Sequence, residues 1–145
     1  MTGVAIRPAT LDEVPAVLEL WRRAGAIPRP TDTAEDVTRL VTAHGGSLLV
    51  AVDDGRLVGT VIAGWDGWRG GIYRLAVLPD RRRRGLARAL VTEAERRLAA
   101  QGARRISGMV AHDEAHAVGF WDRAPGWERD ERWVRYVKML EPPGR

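Results

Sequence analysis

The sequence predicts an α/β domain of the α+β kind, with a mixed, mostly antiparallel sheet and about four helices. Two patterns carry this prediction: apolar runs on both sides of Asp54-Gly55, and a strand–loop–helix–strand unit that begins at residue 72. Asp-Gly between apolar runs favours a tight hairpin turn. A helical crossover makes the strands that it joins run parallel. We therefore expect residues 72–78 and 105–111 to form a parallel pair in an otherwise antiparallel sheet.

The amino-terminal elements are predicted from hydrophobic spacing and capping residues. "VAIRPAT" predicts a strand, and "TLDEVPAVLELWRRAG" predicts a helix with one apolar face. Asp12 is the preferred cap because it places Pro15 in the first turn, and a Thr10-x-x-Glu13 capping box is the alternative. A weaker helix is predicted over residues 33–43.

The carboxyl-terminal half contains the clearest helix of the sequence, "RGLARALVTEAERRLAAQG". Leu86, Leu90, Ala94 and Leu98 share one face of it, and Gly102 marks its end. A strand in "ARRISGMVAH", a short helix in "EAHAVGFWDRA" and a strand pair in "WERDERWVRYVKML" follow. Together these elements give six or seven strands.

Composition is that of one globular domain over residues 1–145, with 45% hydrophobic and 29% charged residues. We predict a cytoplasmic protein without a membrane partner, because the sequence has no membrane-length apolar run and no secretory signal. Cysteine is absent, which excludes disulfides, thiolate zinc sites and a cysteine nucleophile. No metal site is predicted, since His44, His112 and His116 lack a convincing ligand set.

The stretch "VLPDRRRRGLARAL" places a strand, four arginines and a glycine directly before the long helix. The first N–H groups of a helix lack partners and attract phosphate when the backbone is accessible. Gly85 and Ala87 give that access, and the nearby arginines add charge. The pattern predicts a site for a diphosphate whose remainder continues along the strand. Neither G-x-x-x-x-G-K-[ST] nor a G-x-G-x-x-G after a strand is present, which disfavours nucleotide-triphosphate and dinucleotide enzymes.

These residues resemble the coenzyme A loop of the GCN5-related N-acetyltransferases (GNAT), [RQ]-x-x-G-x-[GA], with Arg82, Gly85 and Ala87 at its fixed positions. "EAHAVGFWDRAPGW" is similar to the family's N-x-x-A-x-x-[FY]-Y-x-x-x-G-[FY] helix, and "DGWRGGIYRLAV" resembles a D-G-x-R-G subgroup of small bacterial members. The resemblance implies a three-layer fold whose central parallel strands splay apart around acetyl-CoA, the cosubstrate. The coenzyme contacts that it implies are Leu75, Ala76, Val77, Arg82, Arg83, Arg84, Gly85, Leu86, Ala87, Ala117, Phe120 and Trp121.

By the same resemblance, a primary amine of a small molecule, peptide or protein attacks the thioester directly. At pH 7, deprotonating a lysine-like amine costs about 4–5 kcal/mol, whereas releasing a thiolate costs only about 2 kcal/mol. A general base therefore matters more than a general acid. Glu114 is the first candidate base, followed by Asp66 and His112. Each has a structural alternative: a helix cap for Glu114, a turn for Asp66 and an exposed position for His112.

The chain departs from the family pattern where a tyrosine usually acts as general acid, because that position is Trp121. An indole N–H is a donor and not a usable acid. Either the thiolate leaves with solvent help, or Tyr73 or Tyr136 substitutes. The predicted acceptor pocket consists of Trp21, Trp65, Asp66 and Trp68, with core packing as the alternative for the rings.

Two further functions are open. The net charge of +4 raises the possibility of a nucleic-acid-binding module that uses residues 81–84. Lys138 is the only lysine among 23 basic residues, and the arginines are spread over the whole chain, which favours compositional bias over a basic face. Since the usual tyrosine is missing, a coenzyme-binding fold without turnover is the other alternative. A monomer and a homodimer are equally compatible with the sequence.

Overall fold

The computed structural model describes residues 3–141, whose contacts divide into two compact units, one up to Met109 and one from Val110 onward. The prediction of a single domain stays a prediction. The first unit contains β1 (Val4–Pro8), α1 (Val14–Arg23), α2 (Ala34–Ala43), β2 (Leu48–Asp53), β3 (Arg56–Trp65), β4 (Gly70–Val77), α3 (Leu86–Gln101) and β5 (Ile106–Gly108). The second unit contains α4 (Ala115–Arg123).

The sheet has the strand order β1-β2-β3-β4-β5, and only its last pair is parallel. The predicted parallel pair is confirmed, with α3 as the crossover between β4 and β5. The predicted hairpin is confirmed as well. Asp54 and Gly55 both have positive φ angles, 52° and 77°, which a two-residue turn between twisted strands requires.

Helices α1 and α3 lie on opposite faces of this sheet. Trp21 of α1 donates its indole N–H to Thr60 of β3, and a Cβ built on the neighbouring Gly59 would lie 3.0 Å from Leu90 of α3. Because consecutive strand residues point to opposite faces, the two helices cover different sides. Within the first unit the order is therefore helix, sheet, helix, as predicted.

The long helix α3 buries the predicted apolar face. Leu86, Leu90, Ala94 and Leu98 are all buried, and each buried leucine contributes about 1.5–3 kcal/mol relative to an exposed one. Gly102 follows the helix with a φ of 108° and ends it as a left-handed cap. The packing of this apolar face against the sheet holds the amino terminus of α3 near the end of β4.

Within residues 3–141 the strand count is lower than predicted, because five strands form where six or seven were expected. Strand β5 has three residues, and no strand occurs between residues 109 and 141 of the described chain. A strand needs a neighbour that takes up its backbone hydrogen bonds. The terminal "WVRYVKML" has pairs of apolar residues separated by single basic ones and lacks the alternation that commits a strand to one sheet face. Its Tyr136 is 91% exposed.

The capping box lies on the 3₁₀ turn before α1, and the cap position of α1 itself is Glu13, so the preferred Asp12 cap was wrong. A short 3₁₀ turn, Leu11–Glu13, precedes the helix, and the Thr10 N–H donates to Glu13 Oε1 at 2.9 Å. The Arg7 guanidinium donates two further bonds of 2.8 Å to the same carboxylate. These contacts, chiefly the bonds from Arg7, lower the pKa of Glu13 to about 2.

We expect Glu13→Gln to destabilise the protein at pH 7 by about 1 kcal/mol, a value reduced for the partial exposure of the pair. Since the folded pKa is below the unfolded one, the ionised carboxylate stabilises the fold above pH about 4.5 and loses this contribution as pH falls to about 2. Thermal melts at a series of pH values should show a gap between wild type and variant that closes over this interval. A gap that stays constant would show that Arg7 does not hold the carboxylate.

Candidate active site

The loop between β4 and α3 has the backbone of an anion-binding turn. After the short 3₁₀ turn Pro79–Arg81, Arg83 and Gly85 adopt positive φ angles of 64° and 78°. Left-handed residues interspersed with right-handed ones aim successive N–H groups into one concavity. Gly85 is the residue directly before α3, so this concavity adjoins the amino terminus of a 16-residue helix.

Gly85 leaves open space at the start of that helix. A Cβ built on it meets no atom within 4 Å. The first N–H groups of α3 have no partners within the helix, and the helix dipole gives them partial positive charge. Ala87 in the first turn adds only a methyl group. The loop therefore has the donors and the free volume that a pyrophosphate needs.

The four arginines of this loop have different surroundings. Arg81 forms an ion pair with Asp53 at the end of β2. Arg82 donates to the backbone carbonyls of Val77, at 3.1 Å, and Ala24, at 2.7 Å. It thereby joins the loop to the ends of β4 and α1. Of the four, only Arg83 and Arg84 are exposed.

Strand β4 leaves its partner strand halfway along. Its pairing with β5 ends at Ile72, whereas β4 itself continues to Val77. On the side toward β3, the register steps from Thr60 opposite Ala76 to Ile62 opposite Tyr73. One residue of β3 therefore faces two residues of β4, Arg74 and Leu75, which is a β-bulge.

The backbone groups of Leu75 and Val77 face the open edge of β4. The Leu78 N–H donates to Val58 of β3 at 3.0 Å, and peptide groups along a strand alternate in direction. Val77 and Leu75 therefore point away from β3. The bond from Arg82 to the Val77 carbonyl agrees with this direction. The open edge thus leads from the bulge directly into the loop at Gly85.

The structure does not bring the predicted acceptor residues together. Trp21 is 4% exposed, and its N–H is bound to Thr60 at 2.8 Å. Trp65 is five residues from Thr60 on β3 and therefore faces the side of the sheet that α3 covers. Trp68 is 72% exposed in the following turn, with the Arg69 guanidinium 4.2 Å above its ring.

Asp66 organises the turn between β3 and β4. Its Oδ1 accepts the N–H groups of Trp68, at 2.8 Å, and Arg69, at 2.7 Å. These bonds favour the ionised carboxylate and lower the pKa of Asp66, with the bond from Arg69 as the largest cause. A lower pKa makes this carboxylate a weaker proton acceptor.

Tyr73 lies half-exposed on the surface of the sheet, where two glycines make room for its ring. A Cβ on Gly71 would lie 2.8 Å from the Tyr73 hydroxyl, and one on Gly64 would lie 3.2 Å from Cε2. Gly64 and Gly71 are opposite each other on β3 and β4. The phenol is thus directed toward the amino-terminal half of β4, away from Leu75 and Val77.

In the second unit, Glu114 occupies the amino-terminal cap position of α4, yet its side chain makes no capping hydrogen bond there. Three aromatic residues of this unit contact one another edge-on. Trp121 contacts Phe120 edge-on with a centroid distance of 5.2 Å, and Trp127 with a distance of 4.6 Å. The helix ends at Arg123, two residues before Pro125, because the residue preceding proline disfavours helical backbone.

Two residues around the bulge, Arg74 and Thr60, were missed by the sequence interpretation. Arg74 donates to Asp32 and to the Ile27 carbonyl, at 3.0 Å, and lies over the Trp21 ring at 5.2 Å. Thr60 is the only polar side chain among the buried residues of the described chain. The available signal was a polar residue inside each of two apolar runs, "VGTVIAG" and "IYRLAV".

Residues 3–141 contain no cluster of three or more histidine, aspartate or glutamate residues that could hold a metal ion. Over the same residues, none of the helices has both the length and the apolar character needed to cross a bilayer.

Comparison with known proteins agrees with this geometry. The model of the Acetyltransferase (GNAT) family matches residues 14–127. An acetyltransferase of Pectobacterium atrosepticum is 36% identical over 118 residues, which is 81% of this chain and 84% of the relative. An acetyltransferase of Sodalis glossinidius is 34% identical over 136 residues, with 94% and 96% of the two chains covered.

Solved structures show the same fold. Aminoglycoside N-acetyltransferase AAC(6')-Iy in complex with CoA superposes with a TM-score of 0.72 at 20% identity, covering 94% of this chain and 95% of the other. The PaiA N-acetyltransferase of Thermoplasma acidophilum in complex with coenzyme A gives a TM-score of 0.71 at 16% identity, covering 82% and 86%. The protein described here belongs to the GNAT family of acetyltransferases.

Proposed function

We propose that the protein transfers the acetyl group of acetyl-CoA directly to a primary amine of a small molecule, peptide or protein. One observation carries the proposal above the others. The open edge of β4 is followed, after the short 3₁₀ turn Pro79–Arg81, by a left-handed glycine at the start of α3, where the free volume and the unpartnered N–H groups coincide. Family membership supports the same reaction.

In this proposal the pyrophosphate of acetyl-CoA binds the backbone N–H groups of residues 83–87. The exposed guanidinium groups of Arg83 and Arg84 add charge-assisted contacts, while Arg82 holds the loop through its two carbonyl bonds. The pantetheine arm follows β4, where Leu75 offers its N–H and C=O groups and Val77 offers its N–H, since the Val77 carbonyl already accepts a bond from Arg82. The family pattern alone supports Ala117, Phe120 and Trp121 as further coenzyme contacts.

The reaction then needs a deprotonated amine. The amine nitrogen forms a bond to the thioester carbon, the C–S bond breaks, and coenzyme A leaves as a thiolate. Glu114 is the proposed base, because no capping bond engages its carboxylate, whereas Asp66 is held by two backbone N–H groups. We assign Asp66 and Trp68 to the attraction of an ammonium group at the exposed turn. Tyr73 is proposed to line the acceptor side and not to protonate the thiolate, since its hydroxyl is beside Gly71.

The arginine run supports nucleic-acid binding less well than coenzyme binding. Arg81 is paired with Asp53, and Arg82 is bound to backbone carbonyls, so two of the four guanidinium groups are engaged inside the first unit. The cytoplasmic location stays a prediction, as does the choice between a monomer and a homodimer.

Calorimetric titration with acetyl-CoA, followed by thiol release across a panel of amines, tests the proposed function. We expect saturable binding and thiol release that depends on the amine. Absence of binding at millimolar acetyl-CoA would overturn the proposal. Binding without turnover on any amine would favour a coenzyme-binding fold that lacks activity. A DNA or RNA oligonucleotide that binds, with a steep loss of affinity in salt, and that acetyl-CoA does not displace would instead favour the nucleic-acid alternative.

A further inference from the structure

The β-bulge in β4 creates a backbone carbonyl that the sheet does not pair in the regular way. Two residues of β4, Arg74 and Leu75, face one residue of β3, so the ladder of hydrogen bonds is interrupted there. The Arg74 carbonyl accepts instead the hydroxyl of Thr60, at 2.9 Å. The hydroxyl oxygen of Thr60 in turn accepts the indole N–H of Trp21, at 2.8 Å.

Packing alone does not account for a threonine at this position. Thr60 is 0% exposed, and valine would fill the same volume without a polar group to desolvate. The hydroxyl is nevertheless fully used, because it accepts one hydrogen bond and donates another. A short relay therefore runs from Trp21 of α1 through Thr60 to the Arg74 carbonyl.

This relay determines the direction of the next N–H group. The Arg74 carbonyl and the Leu75 N–H belong to one trans peptide unit and point in opposite directions. Because Thr60 holds the carbonyl toward β3, the Leu75 N–H is held toward the open edge. The Arg74 side chain restrains the same residue from its other end, through Asp32 and the Ile27 carbonyl.

On the proposed function, Leu75 is the group on the open edge that meets the thioester. Val77 lies closer in sequence to the pyrophosphate loop, so Leu75 faces the part of the pantetheine arm farther from the phosphates. We propose that Thr60, supported by Trp21, is a positioning residue for acetyl transfer, which holds the Leu75 N–H toward the thioester carbonyl. Trp21 thereby acts through Thr60 and not as a wall of the acceptor pocket.

The test compares Thr60→Val with Thr60→Ser in the full chain, and measures kcat, KM and the affinities for acetyl-CoA and for coenzyme A. For Thr60→Val we expect kcat to fall at least about 10-fold, toward the range of about 10²–10³ seen when an oxyanion donor is lost. Affinity for acetyl-CoA should fall, while affinity for coenzyme A, which lacks the thioester, should remain. Thr60→Ser retains the hydroxyl and should recover activity to within about threefold of wild type.

Two further variants separate positioning from stability. Leu98→Val shortens a buried side chain at the far end of α3 and should lower the melting temperature without changing the ratio of acetyl-CoA to coenzyme A affinity. Trp21→Phe keeps an aromatic side chain, although a smaller one, and removes the N–H donor. It should therefore change the ratio of acetyl-CoA to coenzyme A affinity in the same direction as Thr60→Val but by a smaller factor, and it serves as the test even if the valine variant fails to fold.

The outcomes distinguish this inference from the proposed function. If Thr60→Val leaves both kcat and the ratio of acetyl-CoA to coenzyme A affinity unchanged, while the wild-type enzyme transfers acetyl groups, the positioning role is overturned. If the valine variant fails to fold, the same result in Trp21→Phe overturns it. If Leu98→Val lowers kcat and the ratio of acetyl-CoA to coenzyme A affinity as much as Thr60→Val does, the positioning role is overturned as well. A wild-type protein that transfers no acetyl group would overturn both.

Discussion

Replacing Gly85 with leucine is expected to lower the affinity for coenzyme A by at least about 100-fold, because hydrogen bonds to a charged group contribute roughly 1.5–3 kcal/mol each and the side chain would displace more than one. The new Cβ would occupy the open space at the start of α3, where the pyrophosphate is proposed to bind. Calorimetric titration of wild type and variant with coenzyme A measures the loss directly.

A leucine at Gly85 also strains the backbone, and the chain offers a matched control for that effect. Gly55 has a φ of 77°, against 78° for Gly85, and a Cβ on either residue meets no atom within 4 Å. Gly55 lies in the β2–β3 turn, outside the proposed site. Gly55→Leu should therefore lose comparable stability but keep its affinity for coenzyme A. Equal affinity in the two variants would remove the glycine loop from the coenzyme site.

Replacing Glu114 with glutamine is expected to reduce kcat/KM by about 10²–10⁴ for a lysine-like amine, the usual contribution of a general base. The amide keeps the shape of the side chain but cannot accept the proton. The loss should be smaller for an amine with a pKa near 8, since its deprotonation at pH 7 costs only about 1 kcal/mol. It should also shrink as the assay pH rises toward the pKa of the amine.

The neighbouring Asp113 supplies the control for charge. It is exposed and carries the same charge as Glu114, so Asp113→Asn changes the net charge identically without removing the proposed base. The measurement is the steady-state rate of Glu114→Gln and of Asp113→Asn from pH 6 to 10, with a lysine-like amine and with an amine whose pKa is near 8. If Glu114→Gln retains full activity for both amines at pH 7, the base lies elsewhere and the assignment fails.

Features that depend on local sequence were predicted well. The apolar face of α3, its Gly102 end and the glycine before its first turn are each encoded within a few residues. The Asp54-Gly55 hairpin is encoded in the same way, because its turn needs two residues that tolerate positive φ. These elements suffice to place the glycine loop, which is the proposed phosphate site, at the end of a buried strand.

Features that depend on register across the sheet were not predicted. The bulge at Arg74 arises only when β3 and β4 pair, so neither strand alone indicates that Thr60 will meet the Arg74 carbonyl. The faces on which Trp21 and Trp65 lie depend on the same pairing. For this reason residues that were predicted to form one pocket lie on opposite sides of the sheet. The missing terminal strand pair has a related cause, since the "WVRYVKML" pattern commits to neither sheet face.

The ion pair of Arg81 and the carbonyl bonds of Arg82 affect the rate at which a polyanionic ligand associates with the loop. Arg83 and Arg84 are the exposed guanidinium groups of the loop, so we expect the electrostatic steering of acetyl-CoA to depend more on these two than on Arg81 and Arg82. Removing Arg83 or Arg84 should slow the association rate constant. Removing Arg81 should act mainly through the geometry of the loop, which appears in the dissociation rate.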